Sequence, residues 1–195
     1  MKRMLLVAAG LLVAAGPAPA AEFVVRPGGD CKVAFVSKAS VESFEGRTNK
    51  LSGRVTVDPA AVGDSVRVHF EVDMASLDTG IAKRNLHMRQ NHLETGRYPT
   101  ATFDGVSVRG PAGAKLEGGA PVTLDVEGTF TLHGVSRRLR INVETVFDAK
   151  AGRIAFKTAF PVNLSDYAIS RPEFLFLKLA ETQSVRVSGV AVAAP

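Results

Sequence analysis

Between Arg84 and Arg97 the chain gathers the residues best able to do polar chemistry: Arg84, His87, Arg89, His92 and Arg97. A guanidinium is a planar fork of donors that suits phosphate. The functional reading is therefore a polar gate for an anionic group. A structural reading stands beside it, in which Arg84 and His87 tie the segment to the fold through backbone carbonyls. A metal is a third reading. His87 and His92 are five apart, a poor spacing for shared ligation on an α-helix, and no Cys or paired carboxylate joins them. Met88 and His92, four apart, suit copper or simple packing. No metal site is expected. Enzyme motifs are missing as well: there is no Gly-x-Ser-x-Gly, phosphate loop or metal triad. Asp104 and Asp166-Tyr167 are isolated and read as turn caps, so no catalytic residue is expected and the chain is read as a non-enzyme.

The elements that must carry these residues are strands. Val66, Val68, Phe70 and Val72 alternate with Arg67, His69, Glu71 and Asp73, a period of two with one dry face and one wet face. The same alternation places Val122, Leu124, Val126, Gly128, Phe130 and Leu132 on one phase, and Leu139, Ile141, Val143 and Phe147 on another. Ile154, Phe156 and Phe160 follow it, as do Val185 and Val187. Leu132-His133-Gly134-Val135-Ser136 reads as a tight hairpin. One-faced strands are antiparallel, and many of them in one chain stack as a sandwich or close as a barrel. Long strands with hairpin links favour the barrel.

Ile81 to Glu94 breaks the alternation and reads as a short helical insertion in two turns, capped by Asp78 or Thr79 and stopped by Thr95-Gly96 and Pro99. A second non-strand segment runs from Asp166 to Glu181. Within it, Phe174 to Leu179 is apolar on both faces. That run is either a lip over the barrel mouth that meets lipid, or a strand covered on both sides.

The first residues read as an export signal. Met1-Lys2-Arg3 is basic, Met4 to Gly16 is uncharged and apolar, and Ala18-Pro19-Ala20 places small residues at a cleavage site. Residues 1–20 are thus a cleaved leader and 21–195 one domain, periplasmic or secreted. The formal net charge of the chain is +5, and the loss of Lys2 and Arg3 lowers it to +3. Basic residues are scattered among acidic ones, which argues against a nucleic-acid partner and leaves a mild preference for anionic surfaces. Cys31 is the only cysteine. It shares a strand phase with Val33 and Phe35 and reads as buried and inert.

Four motifs in order resemble those of the YceI-like, polyisoprenoid-binding family. They are Asp78-Thr79-Gly80 with Arg84-Asn85-Leu86-His87, then Tyr98-Pro99 with Phe103, then Gly128 to Val135, and Asn163 to Ile169. The family often has Asp where Asn85 stands, and Asn85 can make only neutral hydrogen bonds. Gly28-Gly29-Asp30-Cys31 departs from the family's usual first strand. The resemblance implies an all-β, extended lipocalin-like antiparallel barrel of about eight strands with a short helical insertion near its mouth. The chain lacks the Trp of the classical lipocalin motif, so that likeness would be one of architecture.

The resemblance also implies an apolar tunnel for a long isoprenoid or fatty chain, such as a polyprenyl phosphate or a quinone tail, and no other cofactor. Its expected lining is Val68, Phe70, Val72, Val126, Phe130, Ile141, Val143, Phe156 and Phe160, with Gly128 leaving space. The expected mouth is Arg84, His87, Arg89, Phe174 and Phe176. Burying one five-carbon unit is worth roughly 3–4 kcal/mol gross, partly offset by ordering the chain. The same alternation equally suits a filled, ligand-free core that serves as an interaction or stress-response module. Transient membrane contact and a homodimer are compatible with either reading.

Overall fold

A computed structural model describes residues 20–38, 43–63, 66–111, 113–116, 118–174 and 177–195, with only the backbone at 173, 174, 177 and 178. The expected leader, residues 1–20, lies outside the described residues apart from Ala20, as does Phe176. Twelve strands appear among them: β1 (Ala21–Val25), β2 (Lys32–Lys38), β3 (Ser43–Thr48), β4 (Leu51–Val57), β5 (Arg67–Asp73), β6 (Thr100–Arg109), β7 (Val122–Leu132), β8 (Val135–Asp148), β9 (Arg153–Asn163), β10 (Glu173–Phe174), β11 (Leu177–Lys178) and β12 (Thr182–Ala193).

The wall is a closed antiparallel barrel of eight positions. β5 to β9 follow one another as neighbours, and β12 lies beside β9. The other edge of β12 takes both β2, where Val185 faces Phe35, and β1, where Phe23 faces Ala193. β1 and β2 are therefore two pieces of one wall position, broken at residues 26–31. β3 and β4 form the next position in the same way, paired with β2 and β1. β4 then pairs with β5 and completes the ring. Closure removes the open sheet edges that a sandwich would leave.

The hairpin between β7 and β8 has two central residues, His133 at φ 51° and Gly134 at φ 73°, the left-handed pair that matches strand twist. The ladder between β8 and β9 runs only from Asp148↔Arg153 to Val143↔Thr158, although both strands continue beyond it. A 3-10 turn at Ser165–Tyr167 sits against both strands there, and Asp166 O accepts from Arg137 Nε at 3.0 Å.

Two sequence expectations need correction. The Asp166–Glu181 segment holds a small hairpin, with Phe174 of β10 facing Leu177 of β11, so part of it is strand. Neither Asp78 nor Thr79 caps the insertion. Its helix α1 (Ala82–His87) follows Ile81, which makes no side-chain cap bond. Asp78 and Thr79 bond to Asn85 instead.

Candidate functional site

Alternation turns one face of each strand into the barrel, and the buried apolar residues form two clusters. Phe23, Val25, Leu51, Val57, Leu124, Val126, Ile141 and Ile154 belong to one fully packed cluster. Met74, Leu77, Ala101, Leu132, Val162, Tyr167 and Ile169 are packed in a second. Val68, Phe70, Val72, Phe130, Val143, Phe156 and Phe160 face inward and pack against these clusters, yet stay only partly buried. Of the expected lining, Val126 and Ile141 are thus fully packed and these seven partly buried.

Inward glycines seat four of the inward rings. Gly128 faces Gly105 across β6–β7. A Cβ on Gly128 would lie 2.7 Å from Cζ of Phe103, so the expected free space is taken by that ring. A Cβ on Gly189 would lie 2.8 Å from Cζ of Phe156. Gly53 and Gly46 similarly receive the rings of Phe70 and Phe35. Glycine lets an aromatic ring lie against the wall where any side chain would push it towards the barrel axis. Phe70 and Phe156 meet at 5.2 Å, and Phe130 touches Phe160 at 5.8 Å and Tyr167 at 5.4 Å.

The insertion spans the second rim. At one side Asp78 bridges to Arg47 of β3 through paired backbone bonds of 2.9 Å. Asn85 Oδ1 accepts from Thr79 N at 2.9 Å and from Thr79 Oγ1 at 2.7 Å, and Asn85 Nδ2 donates to Asp78 Oδ1 at 2.6 Å. The Gly80 N–H and Asn85 hold the Asp78 carboxyl below its ordinary pKa. At the other side His133 lies 2.8 Å from Glu94 and 3.1 Å from Tyr167 O. Its ring meets the Tyr98 ring edge-on, with centres 4.5 Å apart. His133, Glu94 and Tyr98 were not singled out by the sequence reading as a joint between insertion and hairpin.

The arginines of the expected gate are engaged with backbone. Arg84 donates from Nε to Thr79 Oγ1 and from Nη2 to Thr79 O, each at 2.8 Å, and its guanidinium lies 4.1 Å from the centre of the Phe44 ring. Arg89 donates from Nη2 to Leu77 O at 2.9 Å. Its Nε is buried without a hydrogen-bond partner, and so is Oγ of Ser37, the residue opposite Phe44 in the β2–β3 register. His87 meets His92 rather than either arginine. Among the described residues, no group of three or more His, Cys, Asp or Glu is arranged to hold a metal ion.

A closed up-and-down barrel with an apolar, ring-lined interior and a helical insertion across one rim defines the class. The chain belongs to the YceI-like domain family, whose pattern matches residues 27–191. It is 34% identical over 132 residues to a UPF0312 protein of Vibrio parahaemolyticus. That match covers 66% of this chain and 65% of the relative, so it spans slightly less than two thirds of the relative's length. A UPF0312 protein of a Shewanella species is 32% identical over 178 residues, covering 87% of this chain and 88% of the relative.

Two solved structures share the fold. Burkholderia cenocepacia BcnA has a TM-score of 0.69 at 24% identity, covering 83% of this chain and 96% of that one. A polyisoprenoid binding domain from Saccharophagus degradans, implicated in plant cell wall breakdown, has a TM-score of 0.70 at 22% identity, covering 90% and 99%.

Proposed function

We propose that this is an exported, non-enzymatic lipid-binding protein that holds a long isoprenoid or similar apolar chain, a polyprenyl phosphate or quinone tail, inside the barrel. One observation carries the reading. Val68, Phe70, Val72, Phe130, Val143, Phe156 and Phe160 face inward but are only partly buried. Inward apolar surface that packing leaves partly exposed is what a slim apolar ligand covers. Family membership and the polyisoprenoid-binding neighbour support the choice of ligand. The leader-like residues 1–20 support a periplasmic or secreted location.

The insertion rim is the proposed head-group end. The unpaired Nε of Arg89 favours an oxygen-rich head there, because a buried cationic donor gains from any acceptor. The apolar run Phe174 to Leu179 in the sequence suits transient membrane contact during loading.

A filled barrel acting through a protein partner is the second reading. The contact of Phe70 on β5 with Phe156 on β9 favours it, since those strands lie on opposite sides of the ring and the two side chains meet across the interior. Native mass spectrometry of protein purified without detergent separates the two. Co-purified mass matching an isoprenoid lipid supports the carrier. A protein that is empty, and whose melting temperature does not move with quinones or polyprenyl phosphates, overturns it.

A further inference from the structure

The insertion ends in a turn that changes what its histidines can do. After α1 the chain forms a π-helical turn at Met88–His92, closed by Leu93 N donating to Met88 O at 2.8 Å. The wider turn puts residues five apart on one face, where an α-helix would splay them. The rings of His87 and His92 consequently meet with centres 4.9 Å apart, and His87 Nδ1 lies 3.2 Å from His92 Nε2. The α-helical spacing argument against shared ligation does not apply to this geometry.

His92 is also oriented from behind. Its Nδ1 lies 2.9 Å from Ser170 O. A carbonyl can only accept, so the proton sits on Nδ1 and the lone pair of neutral His92 is on Nε2, facing His87. Metal-binding histidines are held in this way by a carbonyl or carboxylate on the far nitrogen. Two ring nitrogens bound to one ion at about 2.0–2.1 Å each, with a near-tetrahedral angle, lie roughly 3.2–3.4 Å apart.

We propose that His87 and His92 chelate a single divalent transition-metal ion of the zinc, nickel and copper group, with water completing the coordination. These borderline ions suit imidazole, whereas magnesium and calcium prefer oxygen. The site lies on the insertion at the rim and not in the barrel interior, so metal binding is measured whether or not a lipid is bound. Bound metal would clamp the π-turn, and through His92 it would join the insertion to the Ser170 segment.

The test uses tag-free, chelator-treated protein titrated with zinc chloride, then separately with nickel chloride, in a non-coordinating buffer by calorimetry. One equivalent is expected to bind. Because the second ligand acts intramolecularly, H87A or H92A should weaken binding about 100-fold, while H69A leaves it unchanged. A second measurement needs no variant: imidazole 15N spectra of the wild type should show zinc shifting His87 Nδ1 and His92 Nε2. Wild-type affinity equal to that of H92A overturns the proposal. Zinc-induced shifts confined to His69 or His133, or no shifts at all, do so as well, leaving an ordinary hydrogen bond between the rings.

Discussion

The ring of Phe103 lies where a side chain on Gly128 would have to go: a Cβ there would sit 2.7 Å from Phe103 Cζ and 2.5 Å from Asp104 O. The second contact is with backbone, which cannot swing aside. Gly128→Ala should therefore push β6 and β7 apart and cost about 1–3 kcal/mol, read as a lower urea midpoint. Gly46→Ala makes the useful contrast. Its obstacle is the far end of the Phe35 ring, which can turn inward, so the stability loss should be smaller and ligand capacity should fall instead. Equal midpoints for the two variants would contradict this account.

That relationship also marks where sequence reading stops. Alternation along Val122–Leu132 gives the phase of Gly128, because side-chain direction in a strand is local. It cannot show that Phe103, from a different strand, lies over it, because cross-strand register is set by the whole ring of pairings. The strands β5, β7, β8, β9 and β12 were legible for the first reason. The division of the first two wall positions, by residues 26–31 and by Asn49-Lys50, was not. At the rim, the break in alternation revealed the insertion and its two turns. The meeting of His87 with His92 was hidden because sequence spacing was read with the α-helical period, and nothing in the residue types announces a π-turn.

Asn85 should prove a structural keystone of the insertion. It satisfies the N–H and hydroxyl of Thr79, a residue 9% exposed, and ties Asp78 in the same network. Asn85→Ala leaves those donors unpaired, a loss of about 1–3 kcal/mol. Hydrogen exchange should show the loss as faster opening of the Asp78–Glu94 segment, with the β7–β8 ladder retaining its protection.

His69 should respond to pH on the outer wall. Its Nδ1 lies 2.6 Å from Asp104 Oδ1 and its Nε2 3.4 Å from Glu71. The hydrogen bond to Asp104 is the main cause that raises its pKa above the ordinary value. A raised pKa means the stabilisation is fully present below the ordinary histidine pKa and is lost as pH rises through the raised one. The pair is exposed, so the amount should be under about 1 kcal/mol. An NMR titration should find His69 above the unfolded-chain value, and Asp104→Asn should bring it down.

Cys31 should be chemically quiet. It is 3% exposed, and its Sγ donates to Arg26 O at 3.3 Å. Burial is the main cause that pushes its pKa up, so little thiolate is available to attack. A thiol reagent such as DTNB should release colour from the folded protein far more slowly than from the protein in denaturant. Rapid reaction in native buffer would mean that the chain around residues 26–31 opens readily.

Arg89 offers the sharpest separation between a head-group site and a purely structural rim. Its Nη2 is committed to Leu77 O, while its Nε is buried and unpaired. If an oxygen-rich head group meets that nitrogen, the benefit exists only for ligands that carry one. Arg89→Met keeps most of the side-chain volume and removes both donors. The variant should be less stable in the absence of ligand because the Leu77 carbonyl loses its partner. On adding a polyprenyl phosphate, its rise in melting temperature should be clearly smaller than that of the wild type. On adding an isoprenoid hydrocarbon without a head group, the two rises should match. Equal rises with both ligands would assign Arg89 to the rim alone and move the polar end of the ligand elsewhere.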